Sequence, residues 1–451
     1  MALLTTPWIS TAWAAHDIAR AVQLSLMLAA SVLLLSQAPP RLPPQLAAAT
    51  VALLALALAA CALAPAPLAA LQDLCLHLGC VALMLGLSQA YAGPGSAVLE
   101  RLMASGPLVY AAVALVIFIA ALATGQMLDA RALHIGFNNP RFLNHAQTVF
   151  VPWLVIMFSM DKRQQRWRWL ALAAALFHIG LAYLGVARGT GMAWMAAVLV
   201  LALAGARVQA LRLAATLACG LLLSVLLFEA LPRVTHLEWN TPFARAAEAG
   251  QDHSRLKLWS YATDRILSSP WLGAGPMQLA TISQAPATHP HNIYLQWASE
   301  YGVPAAVLAS LLMLTPAALL LKQAKVSLEA SDRARCQALA AISIAVMVDA
   351  TVSGNLVLPV SQLWVAWLYA QMLAALRTRP PVQTVPLARG AKWCFRVGQG
   401  LPWLLVTSQL VLALLALAQA RSSVEPHVGE HAATYGPRGI PRPRFWLDGQ
   451  L

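Results

Sequence analysis

The chain has 451 residues, of which 59% are hydrophobic and only 10% are charged, and its mean hydropathy is +0.65. A soluble domain carries about 25% charged residues, so this composition excludes the soluble classes and predicts an all-α polytopic membrane protein. The net charge of +13 does not indicate a nucleic-acid partner, because the basic residues fall mainly in short loops and in the C-terminal tail. That distribution is typical of topology signals and of contacts with membrane lipids.

The apolar segments predict the number of membrane spans. A span needs about 20 apolar residues. This length predicts about twelve spans, near 17–38, 46–64, 68–91, 105–125, 146–160, 168–187, 190–206, 211–229, 293–322, 336–353, 355–376 and 400–420. We therefore divide the chain into a first group of spans, a long loop, a second group of spans and a polar tail, at 1–229, 230–292, 293–420 and 421–451.

The basic loops predict the orientation of these spans. Residues 161–168 and 377–396 are strongly basic, whereas the positive clusters at 207–212 and 322–335 are milder. Positive loops stay in the cytoplasm. The other loops and both termini are then expected on the opposite side, which in a bacterium is the periplasm; these loops are 126–145, 187–190, 230–292 and 353–355.

The long loop 230–292 is expected to have structure of its own, because mere connectors are shorter. Residues 254–267 carry apolar side chains at helical spacing, which predicts an amphipathic helix. The prolines and glycines of 268–276 predict the end of this helix and a turn. Since Trp259 and Trp271 accompany the helix, we expect it to lie on the membrane surface.

Polar residues collect at the predicted periplasmic boundary. Arg188 stands out among them, because the segments on both sides of it are nearly uncharged. An arginine at such a depth costs several kcal/mol unless it is paired or hydrated, so we expect it to face a cavity or to bind an anion. The other candidates are Asn138, Asn139, Arg141, Asn144, His145, Thr190, Arg255, Lys257, His289, His291, Asn292, Asp349, Ser353, Asn355, Ser361 and Gln362.

The arginines indicate an anion site without a metal. Guanidinium groups make bidentate contacts to phosphate oxygens, so converging arginines such as Arg188 and Arg255 fit a diphosphate. Their alternative role is snorkelling at the membrane interface. A site for hard cations needs several carboxylates, which are sparse here, and Cys75, His77 and Cys80 lack a fourth zinc ligand. With no Walker loop and no dinucleotide fingerprint either, we predict no metal and no cofactor.

The segment 289–296 (His-Pro-His-Asn-Ile-Tyr-Leu-Gln) ends the long loop where a predicted span begins. Its two imidazoles, His289 and His291, are either interfacial anchors or catalytic groups, since imidazole exchanges a proton near neutral pH without unusual tuning. A histidine base beside an arginine-bound diphosphate would deprotonate an acceptor hydroxyl. That oxygen would attack an activated sugar carbon as the lipid diphosphate leaves. The pattern thus predicts glycosyl transfer, with inversion for a single displacement.

Six motifs follow one another in the chain: 137–142 (Phe-Asn-Asn-Pro-Arg-Phe), 188–190 (Arg-Gly-Thr), 255–259 (Arg-Leu-Lys-Leu-Trp), 270–276 (Pro-Trp-Leu-Gly-Ala-Gly-Pro), the histidine segment 289–296 and 300–304 (Glu-Tyr-Gly-Val-Pro). In this order they resemble the bacterial superfamily of O-antigen ligases, O-antigen polymerases and protein O-oligosaccharyltransferases. The resemblance extends over residues 130–375. The extra span at 400–420 and the tail depart from the usual ligase pattern, which leaves the acceptor open.

The resemblance implies a GT-C-type glycosyltransferase of the bacterial inner membrane that takes a glycan from undecaprenyl diphosphate at the periplasmic face. It implies that Arg188 and Arg255 engage the donor diphosphate and that His291 is the catalytic histidine, with His289 as a helper. We add Arg141 to the diphosphate site. The supporting residues are predicted to be Asn292, Thr190, Asn139 and Asp349.

Several functions remain open at this point. The leading hypothesis is transfer to lipid A–core by an O-antigen ligase. The second has the same donor with a serine or threonine of a pilin or other protein as acceptor, and the third is polymerisation of repeat units. A lipid-glycan flippase without chemistry ranks last, because it needs a polar path across the bilayer. The predicted spans are nearly free of charge at their centres, apart from His77 and His178.

Overall fold

The structure is a computed structural model that describes residues 15–36, 44–93, 95–125, 130–137, 139–234, 242, 254–281, 287–326, 329–377 and 391–422. Asn138, most of the basic loop 377–396 and nearly all of the tail 421–451 lie outside these residues. The described residues form helices and contain no strand. The main helices are α1 (Ala15–Leu35), α2 (Pro44–Ala62), α3 (Pro67–Ala92), α4 (Ser96–Thr124), α5 (Pro140–Ile156), α6 (Arg168–Leu184), α7 (Arg188–Leu203), α8 (Arg207–Val225), α9 (Ser254–Ser268), α10 (Ile293–Tyr301), α11 (Val303–Lys325), α12 (Ala330–Asp349), α13 (Pro359–Arg377) and α14 (Ala391–Ser422).

The described part of the chain contains nine helices that are long and apolar enough to cross a membrane, and α7 is apolar but shorter. This confirms an all-α, multi-pass membrane protein. The count of about twelve spans stays a prediction. One predicted span is wrong as a single helix: the apolar run 293–322 breaks at Gly302, whose φ of +88° ends α10 before α11 begins. The amphipathic helix predicted at 254–267 is confirmed as α9.

Two compact units make up the chain, and each combines segments that are distant in sequence. The first unit draws on residues 1–19, 91–252 and 317–368, and the second unit draws on 20–90, 253–316 and 369–451. The predicted amphipathic helix α9 and the helix α10 that follows the long loop both belong to the second unit. The segment that begins with Arg188 belongs to the first unit.

Helix α5 occupies the interior of the first unit. Every residue from Leu143 to Ile156 is buried, and a helix that is buried on all sides belongs in a core. Its polar side chains therefore need partners inside the protein. Gln147 has such a partner, since its Nε2 lies 3.2 Å from Nδ1 of His178 in α6.

An ion cluster marks one end of the first unit. Glu100 of α4 is 4% exposed and pairs with Arg163 at 3.3 Å and with Arg335 at 3.2 Å. The basic segments that carry these arginines were both predicted on the cytoplasmic side. Arg335 lies in the second turn of α12 and Asp349 is its last residue, so Asp349 lies at the opposite end of this helix from the ion cluster. The ion pairs of Glu100 and the predicted supporting residue Asp349 thus lie at opposite ends of α12.

Candidate functional site

The candidate catalytic segment lies at the start of α10 in the second unit. Asn292 is the N-cap of this helix, and its Oδ1 accepts the backbone N–H groups of Tyr294 and Leu295, each at 3.1 Å. Asparagine is among the strongest N-cap residues because its side chain satisfies amides that the helix itself leaves unbonded. Asn292, predicted as a supporting residue, therefore fixes where the helix begins and where the preceding His291 sits.

His291 has a backbone conformation that is uncommon for a residue with a side chain. Its φ is +51°, in the left-handed region. Its backbone N–H donates to Nδ1 of His289 at 3.3 Å, and the two imidazole rings are 4.2 Å apart between centroids. Since Nδ1 of His289 accepts this bond, the neutral ring carries its proton on Nε2. His289 is buried and His291 is half-buried, so His291 is the more accessible imidazole.

Helix α9 packs against this segment. Nε1–H of Trp259 donates to the backbone oxygen of Pro290 at 3.0 Å, while Leu258 and Ala262 are buried. Arg255 lies four residues before Trp259, so both project from the same side of the helix. The predicted diphosphate ligand Arg255, which is half-buried, is thus on the side of α9 that bonds to the histidine segment.

Tyr294 adds a neutral hydroxyl to the first turn of α10. Burial raises the pKa of Tyr294 above its ordinary value. The phenol therefore remains protonated at neutral pH and can donate a hydrogen bond, but it is not suited to act as a base.

The two motifs at 270–276 and 300–304 bind each other at the far end of α10. Two backbone hydrogen bonds join them: Gly275 N–H to Glu300 O at 3.1 Å and Val303 N–H to Pro270 O at 2.8 Å. A third bond, from Ala274 N–H to Ser299 O at 2.8 Å, reaches the residue just before the second motif. This pairing anchors the C-terminal end of α10.

Two glycines make the close approach possible. Gly273 and Gly302 have φ values of +69° and +88°. A Cβ at Gly273 would lie 2.4 Å from the carbonyl carbon of Glu300, and one at Gly302 would lie 2.1 Å from the backbone oxygen of Trp271. Any side chain at either position would push the loop away from the helix.

The first unit holds the remaining predicted site residues at the start of α7. Arg188 is the first residue of this helix and is exposed. Next to it, Gly189 lies against α12, since a Cβ there would be 2.9 Å from Oδ1 of Asp349. Asp349 is fully buried, and a negative charge near a helix N-terminus is stabilised by the helix dipole.

Two side chains of α5 lie next to the Asp349 carboxylate. Oγ1 of Thr148 donates to Oδ2 of Asp349 at 3.1 Å, and Nδ1 of His145 lies 3.9 Å from the same oxygen. Oγ1 of Thr190 donates to the backbone oxygen of Asn144 at 3.1 Å. Thr148 lies between Thr190 and Asp349, since its Oγ1 is also 3.5 Å from Oγ1 of Thr190. The roles of Thr190 and Asp349 as supporting residues stay predictions. The structure also places Thr148 next to this carboxylate. Sequence analysis missed Thr148, although it lies four residues after the candidate Asn144 and therefore on the same side of α5.

Asn139 and Arg141 lie at the start of α5, three to five residues before Asn144. Asn139 is the N-cap of α5, and its Oδ1 accepts the backbone N–H of Arg141 at 3.0 Å. Both residues are exposed. Asn139 therefore has a structural task as a cap, while the assignment of Arg141 to the donor diphosphate stays a prediction.

No group of three or more His, Cys, Asp or Glu side chains that could hold a metal ion occurs among the described residues. Cys75 and Cys80 belong to α3, where Cys75 is a buried thiol. Around His291 the second unit offers imidazoles and a phenol, which exchange protons or donate hydrogen bonds, and the start of α7 in the first unit offers an arginine, which can bind an anion.

Comparison with known families covers this same region. Residues 173–310 match the family model described as O-Antigen ligase. The matched segment includes Arg188, Arg255 and His291. A comparison with curated proteins found no match. Over residues 173–310 the chain is similar to O-antigen ligases, which confirms the predicted resemblance to the O-antigen ligase-like superfamily.

Proposed function

We propose that this protein is an O-antigen ligase of the bacterial inner membrane, with a GT-C-type architecture and an active site that faces the periplasm. It transfers a glycan en bloc from undecaprenyl diphosphate to lipid A–core. The observation that carries the proposal is the placement of His291. This residue has a left-handed backbone conformation directly before the capped start of α10, and it lies within the segment that matches the ligase family.

In this proposal His291 is the general base. Its imidazole takes the proton of the acceptor hydroxyl, and the acceptor oxygen forms a bond to the anomeric carbon of the donor sugar. The bond between that carbon and the diphosphate oxygen breaks, so undecaprenyl diphosphate leaves with the electron pair. A single displacement of this kind inverts the anomeric centre. The accessibility of His291 and the burial of His289 support assigning the base to His291.

The same proposal assigns the binding of the donor diphosphate to three arginines, Arg255, Arg188 and Arg141. Guanidinium groups make short, charge-assisted and bidentate contacts to phosphate oxygens. The placement of Arg255 one turn before Trp259 supports its role. The position of Arg188 in the first turn of α7 supports its own, since helix N-termini favour anions.

Charge neutralisation by arginine predicts that the reaction needs no divalent metal. Purified protein in nanodiscs should transfer glycan at the same rate with and without EDTA. A loss of activity on chelation that magnesium or manganese restores would contradict the arginine-based mechanism.

Deletion of the gene tests which molecule receives the glycan. We expect lipid A–core to lose its O-antigen while surface proteins keep their glycans, and we expect purified protein to rebuild the linkage from lipid-linked glycan and lipid A–core. Loss of glycan from a pilin or another protein would replace the ligase by a protein O-oligosaccharyltransferase. That second candidate is favoured by α14, because this helix contains the extra span at 400–420 that departs from the usual ligase pattern.

A change only in glycan length would indicate a repeat-unit polymerase. An unchanged glycan on every acceptor, with lipid-linked glycan retained on the cytoplasmic side, would indicate a flippase.

A further inference from the structure

A buried carboxylate in α3 contacts the helix that follows His291. Asp73 is 5% exposed and lies in the second turn of α3, one of the nine candidate spans found among the described residues. The hydroxyl of Tyr301 donates to Oδ2 of Asp73 at 2.8 Å. An ionisable side chain within a span is expensive to bury and usually has a functional reason to be there. Neither the sequence motifs nor the segment matched by the ligase family includes Asp73.

Histidine and tyrosine rings surround this carboxylate on the side of α3. Nδ1 of His77 lies 2.8 Å from the backbone oxygen of Asp73 and 3.7 Å from its Oδ2. The rings of His77 and Tyr301 meet edge to face, with their centroids 6.3 Å apart. Asp73 and Tyr301 thus form a defined contact between α3 and α10, and the ring of His77 lies beside it.

Helix α10 transmits the position of Tyr301 to the catalytic segment. It has nine residues and spans about 13 Å at 1.5 Å per residue. A helix this short is marginal alone and takes its orientation from tertiary contacts. Tyr301 is its last residue, while Asn292 caps its first turn directly after His291. A shift of Tyr301 would therefore move or tilt the helix start that carries His291.

We infer that Asp73 is a positioning residue for glycosyl transfer: by accepting the hydroxyl of Tyr301 it fixes α10 and thereby the imidazole of His291. The inference rests on the proposed function, since it concerns the reaction at His291. The role requires a hydrogen-bond acceptor at position 73. It does not require Asp73 to exchange a proton with substrate.

The test compares variants that remove or keep this acceptor. Tyr301→Phe removes the hydroxyl and keeps the ring, Asp73→Leu removes the acceptor, and Asp73→Asn keeps an acceptor oxygen. We expect the first two to lower kcat by about 10- to 100-fold, because a displacement of about 1 Å at a reacting group costs up to about 100-fold. The KM for lipid-linked glycan should stay near that of the wild type. Asp73→Asn should keep most of the activity, and the double variant of Leu and Phe should be no worse than either single one.

Tyr369→Phe is the matched control in the same unit. The hydroxyl of Tyr369 in α13 donates to the backbone oxygen of Met313 at 2.9 Å, and this tyrosine is also buried. Loss of the Tyr369 hydroxyl should lower Tm about as much as Tyr301→Phe does, but it should leave kcat unchanged. Hydrogen exchange supplies a readout independent of activity: Tyr301→Phe should speed exchange at the amides of α10 and of His289, His291 and Asn292, and Tyr369→Phe should not.

The outcomes separate this inference from the proposed function. If Tyr301→Phe and Asp73→Leu lose no more kcat than Tyr369→Phe, the positioning role is wrong and the ligase assignment stands. If Asp73→Asn is as inactive as Asp73→Leu, the charge rather than the acceptor is required, which also overturns the inference. If wild-type protein transfers no glycan to any acceptor, the proposed function fails, and the positioning role fails with it, whatever the exchange data show.

Discussion

Helices α7 and α10 begin in similar ways, but their first turns are completed differently. A non-glycine residue with a φ of +51° lies two positions before each helix: Val186 precedes Arg188, and His291 precedes Ile293. Such conformations cost about 1–3 kcal/mol and cluster at functional sites. For a β-branched valine the conformation is a genuine outlier. Both helix starts are therefore held in place against local strain.

The caps distinguish the two helix starts. At α10, Asn292 satisfies two first-turn amides with its side chain, so the helix start holds the neighbouring His291 in a fixed position. At α7, the N-cap Ala187 has no side chain that can accept such a bond, and Gly189 lies against the buried carboxylate of Asp349. A capped start suits a residue that must be positioned for chemistry. A start without a side-chain cap, next to an exposed arginine, suits an anionic ligand.

Removal of the base should have the largest effect. His291→Ala is expected to lower glycan transfer by about 10²–10⁴-fold, because a positioned general base contributes that much. Protein level and donor binding should stay near those of the wild type. His291→Gly should be equally inactive but more stable than His291→Ala, since glycine adopts a φ of +51° without strain. Activity assays and thermal melts test both parts, and a fully active alanine variant would contradict the assignment.

Loss of Arg188 should have the next largest effect, and it should appear in donor binding. Arg188→Ala is expected to weaken binding of undecaprenyl-diphosphate-linked glycan by about 10- to 100-fold, since hydrogen bonds to charged groups contribute about 1.5–3 kcal/mol. Arg188→Lys should be intermediate, because lysine keeps the charge but loses the planar fork.

Arg207 provides the matched control for this measurement. It is also exposed and also begins a helix, α8. Arg207→Ala should bind donor like the wild type. Equal binding by Arg188→Ala and wild type would instead return Arg188 to the role of an interfacial anchor.

Two glycines in the first turn of α7 test the contact with Asp349. Gly189→Ala places a Cβ 2.9 Å from Oδ1 of Asp349 and 3.0 Å from Cγ2 of Val352. Such overpacking should lower the free energy of unfolding by about 1–3 kcal/mol. At Gly191 no described atom lies within 4 Å of an added Cβ, so Gly191→Ala should raise stability by about 0.5–1 kcal/mol through helix propensity. Thermal melts compare the two, and equal Tm values would show that the close approach is not a constraint.

Local signals allowed some of this arrangement to be predicted. The apolar spacing from Leu256 to Ile266 predicted α9, and the apolar run that begins at Ile293 predicted where α10 starts. The break at Gly302 was missed, because the hydropathy of 293–322 continues through it. Only the backbone of Trp271, which leaves no room for a side chain at Gly302, shows why the helix ends there.

Contacts between distant residues could not be predicted from spacing. Thr148 and Asp349 are 201 residues apart, and Asp73 and Tyr301 are 228 residues apart. Such pairs depend on how helices pack, and a single sequence gives no local sign of them. The sequence did indicate that Asp349 is unusual, since it is a carboxylate in an apolar segment. It could not indicate that Gly189 and Thr148 lie against it.

The smallest expected effect tests whether His289 holds His291 through its Nδ1 or takes part in proton exchange. Asparagine at this position keeps an acceptor that can bond to the backbone N–H two residues later, as in an Asx-turn. His289→Asn should therefore keep nearly wild-type kcat, whereas His289→Ala should lose about 1 kcal/mol, or roughly fivefold in rate, for the missing hydrogen bond. If His289 were a proton-exchanging helper, Asn and Ala would be equally impaired, because neither can titrate. Activity measured side by side for the two variants decides between these roles. Equal and large losses of activity would instead show that His289 takes part in proton exchange.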